Sequence, residues 1–175
     1  MEPRKKSILI AVCIGDGYIT HEKQIKNGVI YQYNYLEVSH GSPQKEYIEW
    51  KADLCRKLTG KKCNISHRIS KPRSNGRGGT IRKTEEYRFT CTHKYFRVLR
   101  KWMYKNNKKV LDPFYLKYLT PEGLAIWYMD DGCTYVSKSK KDYQATISTY
   151  TSKKEAETLI KFFKDKFDIE FHLQH

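Results

Sequence analysis

At 175 residues the chain is long enough to bury a hydrophobic core as one domain or as two small fused halves. Its 34 Lys and Arg against 19 Asp and Glu leave a formal net charge of +15, which points to a polyanion, most often nucleic acid, while 14 Tyr, 7 Phe and 3 Trp exclude a disordered basic tail. The first apolar run is too short to span a bilayer and lacks a signal-type cleavage site, and five scattered cysteines without a Cys-x-x-Cys pair read as free thiols of an intracellular, reducing compartment.

In chain order, Ser7 reads as the N-cap of a first helix running to about Gly15, apolar almost all round and therefore buried. Ala11 and Gly15 lie four apart on one face, small enough to admit another helix closely. Two strand-like segments follow, Tyr18 to about Lys23 and Val29 to Ser39, joined by the hairpin pair Asn27-Gly28. Ser42-Pro43 opens a helix with Ser42 as N-cap, the stripe Tyr47, Trp50, Leu54, Leu58, and Gly60 as its stop. Cys63 to about Ser70 and Thr84 to Thr92 are strands with one apolar face and one polar, partly basic face, the pattern of an antiparallel sheet packed on one side. The connection Lys71–Lys83 holds five positive charges and three glycines and no acid, which suits an arm that tracks phosphates. A helix from His93 to about Tyr104 and the polar link Lys105–Lys109 complete the first half.

The second half opens on Thr120-Pro121-Glu122, an N-cap followed by proline. Leu124-Ala125-Ile126-Trp127-Tyr128-Met129 then runs into Asp130-Asp131-Gly132. Gly132 to about Ser137 and Tyr143 to Thr149 read as a hairpin, Ser152 as the cap of another helix, and Ile169–Leu173 as the start of a strand. The order helix, two strands, helix, two strands, helix is followed by helix, two strands, helix, strand, an internal duplication at a period longer than that of solenoid repeats.

Both halves therefore carry an apolar helix that ends in Asp-Gly, at Asp16-Gly17 and at Asp131-Gly132. A helix ends in unpaired carbonyls with roughly half a negative charge, so a carboxylate there is disfavoured unless a cation binds it or it bends into solvent. One Asp-Gly ending is an ordinary turn. Two, each closing an apolar run, indicate one structural unit used twice.

These two endings, their separation and the elements between them resemble the LAGLIDADG homing endonucleases in their single-chain, two-motif form. The resemblance is best over Leu119–Gly132, looser over Ile8–Gly17, and extends to the strand-to-helix junction Ser39–Trp50. It implies an α+β fold of two pseudo-symmetric α-β-β-α-β-β-α halves whose antiparallel sheets form a DNA-binding saddle. The first half spans residues 1–105 with its motif helix at 8–17, a linker 106–119, and the second half 120–175 with its motif helix at 122–132. The family continues through another strand, a helix and a tail with a second active-site lysine, so the second half reads as cut short. The protein is then expected to be monomeric, or completed by a second chain.

The resemblance further implies a site-specific double-strand DNA endonuclease associated with an intron or intein. Asp16 and Asp131 would be catalytic and, with the carbonyls of Gly15 and Asp130, would bind Mg2+ or another divalent ion such as Mn2+. Two carboxylates so close do not both ionise readily unless cations sit between them, and magnesium suits oxygen ligands and phosphate. Lys109 matches a basic residue near the active site, His40 a strand-end residue near the scissile phosphates, and Tyr150 its counterpart in the second half. Arg68 and Arg88 would read bases, with Gln144, Thr146 and Ser148 as weaker contributors, and Arg73, Arg77 and Arg82 would contact phosphates or flanking base pairs. The partner is double-stranded DNA with a long target site, with no membrane, in the cytoplasm of a bacterium or phage-infected cell or in an organelle.

Other readings are a non-cleaving DNA- or RNA-binding protein or intron maturase on the same scaffold, a basic ribonucleoprotein component, and a zinc domain built on Cys63, His67, Cys91 and His93. Retention of both aspartates argues against the first, and the spacing poorly fits known zinc sites.

Overall fold

The computed structural model describes residues 1–74, 80–81, 84–137 and 143–173, the side chains of 73, 74, 80 and 81 excepted. The chain is α+β with antiparallel sheets. It forms two compact units, Gly17–Val98 and the combination of Met1–Asp16 with Leu99–His175. A helix followed by antiparallel strands and a second helix occurs twice in the chain order, the second time with fewer strands. No helix among the described residues is long and apolar enough to cross a membrane.

The unit that holds both motif helices begins with α1 (Pro3–Ile14), in which every residue from Ser7 to Ile14 is buried. Helix α1 starts at Pro3, which fits the first helical position, where its missing N–H is not needed. Ser7 is therefore not an N-cap but an interior residue, and its hydroxyl is used elsewhere, as described below. From Leu99 the chain completes α3 (Lys94–Met103) and turns back through β9 (Tyr104–Lys105) and β10 (Lys108–Lys109). The expected polar link is thus a tight antiparallel hairpin. Asn106 and Asn107 both take positive φ, 50° and 61°, which a type I′ turn requires and which asparagine tolerates better than other non-glycine residues.

Helix α4 (Pro113–Leu116) and helix α5 (Pro121–Asp131) follow, the latter capped by the Thr120 side chain on the Gly123 N–H. Strands β11 (Gly132–Val136) and β12 (Tyr143–Ile147) pair antiparallel, and α6 (Lys153–Phe167) is entered through a complete capping box of Ser152 and Glu155. Phe163 of α6 lies 5.8 Å from the ring of Trp127 on α5. Ile169–Leu173 form no strand: their alternation is right, but a strand exists only where a neighbour completes its ladder.

The other unit is built on a four-stranded sheet in the order β1 (Tyr18–Ile19), β4 (Tyr35–Gly41), β8 (Thr84–Thr92), β5 (Cys63–Ser70). The expected pair of long strands before Gly41 is broken in two. Strands β2 (Glu22–Lys26) and β3 (Val29–Tyr33) form an exposed hairpin closed by Asn27 and Gly28, with φ of 51° and 76°, and only β4 enters the main sheet. This break explains why the run Val29–Ser39 shows no cleanly apolar face. Only its second part is half buried, with Leu36, Val38 and His40 directed inward.

Ser42–Gln44 form a 3-10 turn rather than the first turn of the helix, with Gly41 ahead of it and Pro43 inside it. Helix α2 (Lys45–Thr59) then runs to the left-handed Gly60 and covers the inner sheet face of Phe89, Cys91 and Cys63. Short strands β6 (Arg73–Ser74) and β7 (Thr80–Ile81) pair at the base of the basic connection. Cys63 and Cys91 oppose each other across β5 and β8, both buried, and His67 stacks on Tyr87. Among the described residues Cys63, His67, Cys91 and His93 do not converge as a metal-ligating group, so the zinc reading has no support.

Candidate active site

Helices α1 and α5 lie side by side and parallel, fixed by contacts near both ends. Near their starts the Arg4 guanidinium grips the Glu122 carboxylate through two hydrogen bonds, 2.8 and 2.5 Å. One turn on, the Ser7 hydroxyl accepts the Thr120 N–H at 2.8 Å and bonds the Thr120 hydroxyl at 3.0 Å, so a residue of one helix seals the N-terminus of the other. Near their ends, a Cβ added to Gly15 would overlap the Asp130 carboxylate. The expected close approach at Gly15 is therefore real. Its partner is a side chain rather than a small-residue stripe on α5.

The two helix ends bring Asp16, Asp130 and Asp131 together. The Asp130 carboxylate accepts the backbone N–H of Asp16 at 3.3 Å. Asp131 accepts a hydrogen bond from the indole of Trp127 at 2.9 Å, a partner one helical turn earlier on α5. Trp127 is fully buried, so this carboxylate is oriented by a fixed group. The residue was present in the motif, but only its i, i+4 spacing to Asp131 hinted at the role.

Lys109 resolves the electrostatic awkwardness of α1. The β9–β10 hairpin carries its ammonium to the end of α1, where it donates to the carbonyls of Ile14 and Gly15, both at 2.9 Å. A cation there satisfies helix-end carbonyls and opposes the negative end of the dipole. Burial pushes Lys109 below the ordinary lysine range, against the upward pull of Cys13, Asp131, Asp16 and Asp130.

Asp131 is displaced the other way. Its carboxyl is raised above the ordinary 3.8, first by burial and further by Asp16 and Asp130, with Trp127 and Lys109 acting against the shift. The native state therefore holds its proton more tightly than the unfolded chain. Stability falls as pH rises through the window just above 3.8, because the unfolded carboxylate ionises first. In urea unfolding of metal-free protein, Asp131→Asn is expected to gain on the wild type between pH 4 and pH 7. A variant that loses ground over that range would mean that Lys109 and Trp127 already offset the charge.

A cleft of about 340 Å³ opens on this cluster, lined by Asp16, Lys109 and Asp131 and by the segment from Ser148 to Thr151. The Ser148 N–H donates to the Asp131 carbonyl at 2.9 Å, which ties that segment to the end of α5. Tyr150, with φ of 49° and 96% exposed, projects at the rim. Asp130 approaches the backbone of Asp16, and Asp16 and Asp131 line one cleft, so carboxylate oxygens of the kind a divalent cation takes lie at the helix ends. Burial is the main cause that raises the Asp131 carboxyl, and the smaller upward push of Asp16 and Asp130 is negative charge that a cation would relieve.

The remaining predicted residues are divided between the two units. His40 belongs to the other unit, where it is buried at the end of β4. On the outer face of that sheet, Arg88 is paired with Glu37 and Glu86, both at 3.3 Å, whereas among the described residues Arg68 has a single carboxylate contact, Glu86 at 3.8 Å, and its side chain is 64% exposed. The alternation that found the two arginines could not show that Arg88 is already held by Glu37 of the neighbouring strand β4 and by Glu86 of its own strand. Gln144 and Thr146 share one face of β12, and Ser148 lies past its end. The backbone of Arg73 lies in β6, while Arg77 and Arg82 lie outside the described residues.

Paired parallel helices ending in carboxylates, with a lysine at their tips, define a candidate metal centre on an α+β scaffold. Residues 6–175 match the LAGLIDADG DNA endonuclease family, and the chain belongs to it. It is 32% identical over 125 residues to the protein RecA of Mycobacterium shimoidei, a match covering 71% of this chain and 25% of that protein. It is 28% identical over 169 residues to the cytochrome b mRNA maturase bI2 of Saccharomyces cerevisiae, covering 93% of this chain and 36% of that protein. A solved structure of the homing endonuclease I-WcaI bound to its DNA recognition sequence aligns with a TM-score of 0.71 at 25% identity, covering 99% of this chain and 71% of that one. The chain spans about a quarter to a third of the length of these curated relatives.

Proposed function

We propose that the protein is a site-specific DNA endonuclease that cuts both strands of a long target with magnesium or manganese, carried by a mobile intron or intein. The observation that carries this reading is the meeting of Asp16, Asp130 and Asp131 at the paired helix ends, with the Lys109 ammonium on the α1 carbonyls. Matches over small fractions of RecA and maturase proteins fit an element inserted within other coding sequence.

In this reading Asp16 and Asp131 hold the metal, with the Asp130 side chain beside them. The metal, when bound, supplies Lewis-acid stabilisation of phosphate charge and activation of water. Trp127 holds one oxygen of the Asp131 carboxylate, which lines the cleft. Lys109 holds the end of α1 in place and lends positive charge to the phosphate. His40 and Tyr150 act near the scissile phosphates of the two strands. Arg68 reads bases most directly, Arg88 does so only on leaving Glu37 and Glu86, and Gln144, Thr146 and Ser148 add contacts. Arg73, Arg77 and Arg82 track phosphates. The 1–105, 106–119, 120–175 division describes the repeat, and the protein acts in the cytoplasm or an organelle, alone or with a second chain.

The DNA flanking the coding region names the target, because a homing element interrupts its own site. On a plasmid carrying the rejoined flanks, magnesium is expected to produce linear product and chelation to abolish it. Duplex affinity is expected to fall steeply with salt, by about 10³-fold or more between 50 and 200 mM for six or more phosphate contacts. The maturase relative supports a second reading, RNA binding without cleavage. Salt-dependent binding to intron RNA with no cutting of the plasmid would favour it.

A further inference from the structure

Lysine is almost never fully buried unless its charge is satisfied. Lys51 on α2 is 0% exposed. Its ammonium lies 3.3 Å from Nε2 of His40 and 4.8 Å from the centre of the Tyr47 ring. Tyr47 also meets the His40 ring edge-on, with centroids 5.1 Å apart. On the far side of the imidazole, Nδ1 lies 3.1 Å from Oε1 of Gln44. Gln44, Tyr47 and Lys51 stand at positions i, i+3 and i+7, on one face of the helix start. All four residues belong to the unit Gly17–Val98.

The chemistry of these contacts selects one form of the ring. An ammonium has three N–H donors and no acceptor, so its contact with Nε2 is a hydrogen bond only if Nε2 offers a lone pair. The ring proton then belongs on Nδ1, which faces an acceptor, the Gln44 amide oxygen. The two contacts, on opposite edges of the ring, require the same tautomer. A stable core does not require an ammonium at this place, because an apolar residue of similar volume in place of a buried charge is often neutral or stabilising.

We propose that Lys51 is a positioning residue, which with Gln44 and Tyr47 clamps His40 in one orientation and as the Nδ1–H tautomer. The consequence for cleavage rests on the functional reading of His40 above. The tautomer itself does not.

The test uses the full chain with 15N-labelled histidine and two-bond proton–nitrogen correlation spectra. In the wild type His40 is expected to show a protonated Nδ1 and a bare Nε2. Lys51→Met, which should fold because it replaces the buried ammonium by a thioether of similar length, is expected to lose that pattern. Lys51→Arg is expected to keep it. Gln44→Leu serves as a second variant, removing the acceptor from Nδ1, and is expected to disturb the same signals if Lys51→Met does not fold. In magnesium-dependent nicking of plasmid carrying the rejoined flanks, Lys51→Met is expected to lower kcat at least about tenfold with little change in KM, as a wrong tautomer lowers turnover elsewhere. Lys51→Arg is expected to restore most of it. A wild-type Nε2–H tautomer, or an unchanged His40 pattern in Lys51→Met, overturns the proposal. Absence of nicking by the wild type with the expected spectra would instead remove the endonuclease reading and leave the clamp standing.

Discussion

Asparagine at position 131 is expected to lower magnesium-dependent cutting of target DNA by at least about 10²–10³-fold, the range found when one preorganised electrostatic group is removed from an active site. The substitution keeps the shape of the side chain and an oxygen for the Trp127 indole to bond, so the helix pair should be undisturbed. What it removes is one negative charge beside Asp16 and Asp130. Duplex affinity should change little, because that depends on basic residues spread over the protein. Single-turnover cleavage and equilibrium binding on the same duplex separate the two quantities. Cutting at the wild-type rate would sink the assignment of Asp131. The same variant is expected to be more stable than the wild type near neutral pH, as argued above, so activity and stability should move in opposite directions. A variant that merely misfolds would lose both.

Gly123→Ala is expected to destabilise the fold by about 1–3 kcal/mol, the usual range for overpacking a tight contact. A Cβ there would overlap the Ser7 hydroxyl, and it would lie 3.2 Å from the Ser7 carbonyl and 3.3 Å from Cδ2 of Leu119. The hydroxyl can rotate away only by giving up its bonds to Thr120, which seal the start of α5. The carbonyl is backbone and cannot yield without parting the helices. Ser7→Ala alone should cost about 1 kcal/mol for the lost hydrogen bonds. Combined, the two changes should cost less than their sum, since removing the hydroxyl frees the space that the new methyl needs. Urea midpoints of the four proteins measure this coupling. Strict additivity would mean that α1 and α5 do not approach each other at this point.

Much of the local structure was legible because its causes are local. Asn27-Gly28 turns the chain because both residues accept positive φ, Thr120 and Ser152 cap helices with their own hydroxyls, and Gly60 ends α2 in the left-handed region. Local signals also mislead at the same scale. Serine caps are common, so Ser7 resembles one, but Pro3 already starts the helix. The Asn106-Asn107 hairpin is poorly marked in the sequence because asparagine pairs signal such a turn less strongly than Asn-Gly.

The site was legible only in part. The repeated Asp-Gly ending marked Asp16 and Asp131, and the misfit between a helix C-terminus and a carboxylate showed that positive charge was needed there. Nothing in the pattern said that Lys109 would be within 2.9 Å of the Ile14 and Gly15 carbonyls, or that Arg88 would be held by Glu37 and Glu86. Periodicity places a residue on a face. It does not say what stands opposite when the partner comes from a distant part of the chain.

The sequence by itself determined most of the element types, the Asn27-Gly28 turn, the Thr120 and Ser152 caps, the basic character and the two acidic helix ends, since each depends on backbone preferences and hydrophobic spacing within a few residues. Only the tertiary structure decided that α1 and α5 run parallel in one register, that Asp130 fills the space over Gly15, that Trp127 orients Asp131, and that Lys109 supplies the cation at the tip of α1. The reason is that all but the Trp127–Asp131 contact join residues far apart along the chain, and only close packing of buried side chains can select them from the many pairings the same pattern allows.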